Sequence, residues 1–221
     1  MSLKFYGEPG SQPSRSVNYV LQKLGIEHEY IETLVFTGTG TEEFKKINPL
    51  AKIPVIADGD FILRESGAIV LYLCDNNEGG DKLLPRDDQK ARSRVIQWIF
   101  WNAGEGRPSI IPALRKLVIY PLFFKKPKPD EEETKELMGT LNAQFQAVEN
   151  QLSETEWLAS EDEFTLADVY IYNELQTAVI ILQMDLKDFP KVSAWMETLE
   201  KDEIIAKIKT EAAESMAARQ G

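Results

Sequence analysis

Lys52-Ile-Pro-Val-Ile-Ala-Asp-Gly-Asp-Phe-Ile-Leu-Arg-Glu-Ser66 compresses two strand signatures and a helix start into one short segment. Ile53–Ala57 and Asp60–Leu63 are rich in β-formers and flank Asp58-Gly59, a dipeptide that favours a tight hairpin because glycine accepts a positive φ. The two strands are therefore expected to be antiparallel neighbours. Pro54 stands at the opening of the first, where a missing N–H does least harm to the ladder. Glu65 begins a helix read to Asp75, with Ile69, Val70, Leu71 and Leu73 as its apolar positions.

Towards the N-terminus, Leu3–Tyr6 reads as a strand broken by Glu8-Pro9-Gly10. Pro13 marks the first turn of a helix, with Ser11 or Gln12 in the cap region. Val17, Val20, Leu21 and Leu24 share one face of it, and Gly25 ends it. His28–Leu34 is a second strand, Thr37–Gly40 a loop and Glu42–Ile47 a short helix. The order β-α-β-α-β-β-α places a helical crossover between the first two strands. Glu78–Pro85 is hinge-like in composition, and only helical patterns follow it. One runs over about 88–118, where Pro108 and Pro112 are expected to bend or interrupt it. A second covers 131–152. Thr165-Leu-Ala-Asp168 opens a third as a capping box with Asp in place of Glu. Shorter helices cover 189–199 and 202–218. The expected organisation is an α/β domain over 1–79, a linker at about 80–87 and an all-helical domain over 88–221.

The 221 residues carry 25 Lys and Arg against 36 Asp and Glu, a formal charge of −11, which disfavours phosphate backbones and anionic membranes as partners. One cysteine, Cys74, excludes an intramolecular disulfide and a cysteine-based zinc site; one histidine, His28, excludes a His-rich metal site. No apolar run approaches the ~20 residues of a membrane span, and the N-terminus lacks the apolar region of a signal peptide. The expectation is a cytoplasmic protein without metal or other cofactor, its chemistry carried by hydroxyls, amines and carboxylates.

Three places fit such chemistry. Ser11 lies between the first strand and the first helix, beside free N–H groups and the positive end of a helix dipole. A hydroxyl there is either a plain cap or a donor to an anion, including a substrate's thiolate. Tyr6, five residues earlier, is the rival hydroxyl. Ile53-Pro54, if cis, turns the backbone of residue 53 outward, ready to pair with an extended peptide, and Lys52 sets an ammonium beside that edge. Glu65-Ser66, at a helix start, either caps the helix or holds the ammonium and carboxylate of an amino-acid end. Together these groups suit an extended, anionic, thiol-containing tripeptide.

These residues resemble the cytosolic glutathione transferases, the theta class and its delta relatives most closely. Gly10-Ser-Gln-Pro-Ser-Arg15 is similar to the theta Ser-Gln-Pro-Cys-Arg segment, with Ser14 where Cys is usual. Asn48-Pro-Leu-Ala-Lys-Ile-Pro54 resembles the family's Asn-Pro-x-x-Lys-Val/Ile-Pro segment, and Glu65-Ser-Gly-Ala-Ile69 its Glu-Ser-x-Ala-Ile motif. Phe164-Thr-Leu-Ala-Asp-Val169, preceded by Trp157-Leu158, is similar to the capping box of the helical domain. The likeness spans essentially the whole chain.

The resemblance implies a thioredoxin-like glutathione domain and a helical domain lining an electrophile site, in a homodimer. It implies Ser11 as donor to the thiol and Ile53 as backbone partner of the cysteinyl unit, with Pro54 cis. Lys52 and Gln12 would hold the glycine carboxylate; Glu65 and Ser66 would hold the γ-glutamyl end. Small hydrophobic electrophiles are the implied co-substrates, and Glu105 and Arg107 are candidates for their pocket. Two departures stand out. The histidine usual near the glycine end is replaced by Thr39, Gly40 and Ala51, and Gly104 occupies a place where an acidic residue is usual. No cysteine stands near Ser11, which disfavours the thiol-transferase role of the omega and beta classes. The alternatives are a non-catalytic interaction module, like the N-terminal part of the elongation factor 1B gamma subunit, and a ligandin-type carrier.

Overall fold

β1 (Leu3–Gly7) is the second strand of a four-stranded sheet ordered β2-β1-β3-β4. β2 (His28–Glu32) runs parallel to it, after the crossover helix α1 (Gln12–Lys23). β3 (Val55–Asp58) is antiparallel to β1 and forms a hairpin with β4 (Phe61–Arg64). α2 (Glu42–Ile47) precedes the hairpin and α3 (Ser66–Asn76) follows it. A computed structural model of the chain describes residues 2–35 and 37–218; Met1, Phe36 and 219–221, which the two expected domains include, lie outside the described residues. The element order agrees with the expectation. The hairpin loop is Gly59-Asp60 rather than Asp58-Gly59, since Asp58 pairs with Phe61. Gly59 has φ +60, which glycine adopts at no steric cost.

α1 buries Val17, Val20 and Leu21 against α3, which contributes Ile69, Val70 and Leu73. Phe5 from β1 is buried on the sheet, while Tyr6, its neighbour on the opposite face, lies half-buried with its ring 5.9 Å from that of Phe44 in α2.

Two compact units divide the chain: residues up to Asp87 together with those from Asp202 onward, and Asp88–Lys201. This differs from the expected boundaries. Residues 80–87 include a helical turn, α4 (Gly80–Leu83), and belong to the first unit, as does the last helix, α11 (Glu203–Ala218). α11 packs on α1 and is clasped there by Asp202, which accepts from Lys23 Nζ at 2.8 Å and from the Tyr19 hydroxyl at 3.5 Å. Burial pulls the Asp202 carboxyl upward, yet the Lys23 bond and charge and the N–H groups of Ile205 and Ile204 bring it net below its ordinary range.

In the second unit, the expected long helix exists and runs further, as α5 (Gln89–Trp101), α6 (Arg107–Leu114) and α7 (Tyr120–Phe124). Asn102–Gly106 and Arg115–Ile119 join them as π-helical turns, so Pro108 and Pro112 do not break the chain of helix. A π turn widens the ring of backbone bonds, here closed by Arg107 N–H on Asn102 O. Gly106 is required inside it: a β-carbon there would lie 2.9 Å from the Trp101 ring.

α8 (Glu131–Glu154), α9 (Leu166–Leu182) and α10 (Pro190–Leu199) complete the unit. The capping box forms as expected, and Asp168 does more than cap. It is fully buried, accepting from Thr165 N–H at 2.8 Å, Leu158 N–H at 2.9 Å, Trp195 Nε1–H at 3.0 Å and the Thr165 hydroxyl at 3.2 Å. Burial pushes its carboxyl above the ordinary range against those four donors. Glu149 of α8 plays a similar part, accepting the Lys191 and Val192 N–H groups that begin α10. No helix of the described residues is long and apolar enough to cross a membrane.

Candidate active site

Tyr6, Val55 and Arg64 stand side by side across the sheet. β1 ends near this row, β3 begins at it and β4 ends at it, because β3 is antiparallel to both neighbours. Strands lie about 4.8 Å apart, so the row spans about 10 Å. Three segments leave the sheet at this end: the β1–α1 loop with Ser11 and Gln12, residues 52–54, and Glu65-Ser66. The structure thus gathers Ser11, Gln12, Lys52, Ile53, Pro54, Glu65 and Ser66 at one end of one sheet.

Ser11 is the N-cap of α1, in extended backbone conformation as a cap requires. Its Oγ accepts from Ser14 N–H at 3.4 Å, a long bond that leaves the hydroxyl proton to donate elsewhere. Its own N–H is tied to Glu8 O at 3.1 Å. The plain-cap and anion-donor readings of Ser11 are therefore compatible, since accepting and donating use different parts of the hydroxyl. Gln12 is buried and Lys52 is exposed.

The Ile53-Pro54 bond is cis. The approach to it is held by Asn48, a buried residue the sequence reading did not single out. Its Nδ2 donates to Lys52 O at 2.6 Å and its Oδ1 accepts from Leu50 N–H at 3.1 Å. Arg64 was missed as well. Its Nε donates to Ile47 O at 3.1 Å, fastening the end of α2 to β4. Asn48-Pro49 carried a legible signal, an Asx turn, but the span from Arg64 to Ile47 has none in the sequence. Glu8 is a third: its buried carboxylate accepts from Val35 N–H at 3.1 Å and steadies the loop that follows β2.

Glu65 has φ 67 and ψ 111, a conformation that costs a non-glycine residue about 1–3 kcal/mol and concentrates at functional sites. Its side chain makes no cap bond to α3 and is exposed. The Glu65 side chain therefore does not cap α3. Ser66 is the first residue of α3, beside that helix's N–H groups. Thr39, where a histidine is usual, is buried in the turn after β2.

Glu105 and Arg107 belong to the second unit. Glu105 is exposed on the first π turn, and Arg107 is engaged with Glu174, Nη1 to Oε1 at 2.6 Å, with Glu174 buried. His28 sits on β2 with Nδ1 on Ile26 O at 2.8 Å.

Comparison with known proteins bears on the whole chain. Residues 5–81 match the family model for the glutathione S-transferase N-terminal domain, and 112–203 that for the C-terminal domain. Glutathione S-transferase theta-3 of Mus musculus is 30% identical over 203 residues, covering 91% of this chain and 83% of the relative. Glutathione S-transferase D6 of Drosophila melanogaster is 29% identical over 94% of each chain. The apo structure of human glutathione S-transferase T1-1 superposes with a TM-score of 0.90 at 28% identity, covering 99% of this chain and 91% of the other. A mixed four-stranded sheet carrying a cis-proline at one end, an all-helical second unit and these relatives together make one case: this chain belongs to the glutathione S-transferase family.

Proposed function

We propose that this chain is a cytoplasmic, homodimeric glutathione transferase, which joins the sulfur of glutathione to small hydrophobic electrophiles with Ser11 as the hydroxyl that holds the thiolate. The observation that carries this reading is the convergence at one sheet end of a helix-capping hydroxyl at Ser11, the cis Ile53-Pro54 bond and a Glu65 side chain that makes no cap bond. The cysteinyl backbone would pair with Ile53, and Glu65 and Ser66 would bind the γ-glutamyl ammonium and carboxylate. Lys52 and Gln12 would hold the glycine end. Ser11 donates to the sulfur while the N-terminus of α1 favours its negative charge. Both effects lower the thiol's pKa from about 8.5 and raise the fraction of nucleophile at neutral pH. Glu105 and Arg107 would line the electrophile site, with the Arg107 guanidinium held in position by Glu174.

The test is a rate-versus-pH series for a generic aryl halide, with ultraviolet detection of bound thiolate. Ser11→Ala should leave glutathione binding nearly intact and move the half-maximal pH up by about one to two units, the worth of one hydrogen bond to a charged acceptor. Tyr6→Phe, whose ring lies against Phe44, should leave the profile unmoved. The opposite pattern refutes the assignment of Ser11, and a wild-type chain that glutathione resin does not retain refutes the whole reading.

A further inference from the structure

A cavity of about 360 Å³ lies within the first unit among β1, β2, α1 and α11. That volume falls in the range of small-molecule pockets, about 300–1,000 Å³. We propose that this cavity is a binding site for small neutral phenols, a site independent of the glutathione reading.

The wall provides the reasons. Ser14 lines the cavity, is 2% exposed, and its hydroxyl has no hydrogen-bond partner among the described residues. A buried hydroxyl left without a partner is unfavourable, so an occupant that reaches it gains a hydrogen bond. His28 lines the same space, and its tautomer is fixed by geometry. Nδ1 lies 2.8 Å from Ile26 O, and a carbonyl only accepts, so the neutral ring carries its proton on Nδ1 and offers Nε2 as an acceptor. Asn18 spends its oxygen on Gln22 Nε2 at 3.1 Å, which leaves its amide N–H₂ to donate. The remaining needs are a group that donates to an imidazole and accepts from a hydroxyl or amide, and a hydroxyl does both.

The rest of the wall selects an aromatic, uncharged body. Phe5 and Tyr30 line the cavity with rings 5.5 Å apart, and Tyr30 is 45% exposed. The charged lining groups balance, Arg15 and Lys207 against Glu8 and Glu211. Lys207 is engaged with Gln22 at 3.0 Å and Glu211 at 3.8 Å, and Glu8 with Val35 N–H. No net charge remains to recruit an ion. Ser14 also donates its N–H to Ser11 Oγ, so an occupant abuts the turn that carries the proposed thiol donor. The sequence reading marked Ser14 as a departure from the theta segment, and this cavity gives its hydroxyl a use.

The chain holds one histidine, so the His28 ring resonances report the site without ambiguity. Phenol titrated into the protein should shift them saturably, and toluene, which lacks the hydroxyl, should bind about fivefold more weakly. Ser14→Ala should weaken phenol by about the same factor and leave toluene unchanged. Fluorine NMR of para-fluorophenol gives the same affinities without relying on the histidine signal. The phenol–toluene comparison on the wild-type protein stands even if Ser14→Ala fails to fold. Three results overturn the proposal: His28 signals unmoved by phenol, equal affinity for phenol and toluene, or phenol that competes with glutathione while His28 stays unperturbed.

Discussion

Replacing Asp168 with alanine should destabilise the second unit by about 3–5 kcal/mol, well beyond the loss of a helix cap. A capping carboxylate replaced by alanine ordinarily costs about 0.5–2 kcal/mol, because the freed N–H groups turn to water. Here Leu158 N–H, Thr165 N–H and Trp195 Nε1–H all point at one fully buried carboxylate and have no route to solvent. Each orphaned buried donor costs about 1–3 kcal/mol, and the total is reduced where the vacated space admits a water. The Thr165 hydroxyl rotates and adds little. Asp168→Asn should cost about half as much. One amide oxygen still accepts from Leu158 and Trp195, but the new N–H₂ confronts the Thr165 donor. Urea unfolding followed by tryptophan fluorescence measures both, and near-ultraviolet circular dichroism should show Trp195 loosened. An Asp168→Ala protein less than about 1 kcal/mol weaker than wild type would mean that the four contacts are not a structural hub.

Other outcomes follow from single contacts. Glu65→Ala should weaken glutathione binding by about 1.5–3 kcal/mol by calorimetry without unfolding the protein. Glu65→Gly should weaken it as much while leaving stability equal or higher, since glycine accepts φ 67 without strain; a Glu65→Ala protein with unchanged affinity rules out the γ-glutamyl assignment. Asn48→Ala should free the Lys52–Ile53 approach, costing about 1–3 kcal/mol in urea unfolding and reducing affinity for glutathione. Retention of full affinity would show that the cis-proline edge needs no such brace. The Asp202 carboxyl lies below its ordinary range in the fold, so its contribution is present above the unfolded pKa of about 3.9 and is lost as pH falls through the lower folded value. Amide exchange in α11 should accelerate across that acid window in the wild type and show no such step in Asp202→Asn.

The order of elements was legible in the sequence before folding, since it rests on local signals. Pro13 and the Ser11 cap start α1, the Asp58–Asp60 turn forces the hairpin, and Thr165 with Asp168 opens α9. The sequence also offered the candidates for meeting an anionic thiol peptide, because Ser11, Ile53-Pro54 and Glu65-Ser66 each carry their chemistry in residue type and neighbours. Tertiary structure alone decided where those three segments lie. They are gathered by the antiparallel register of β3, a relation among residues far apart in the chain. It decided that Glu65 is strained and uncapped, since a backbone angle follows from what surrounds it. It reassigned α11 to the first unit, where Lys23 pairs with Asp202, and it set Gly104 and Gly106 in a π turn and Pro108 and Pro112 in α6 of one unbroken helix. Asp168, Glu149 and Arg64 acquired their distant partners only on folding. A buried polar group takes its role from which donors or acceptors the packed chain leaves unsatisfied beside it, and those are set by contacts that no local pattern encodes.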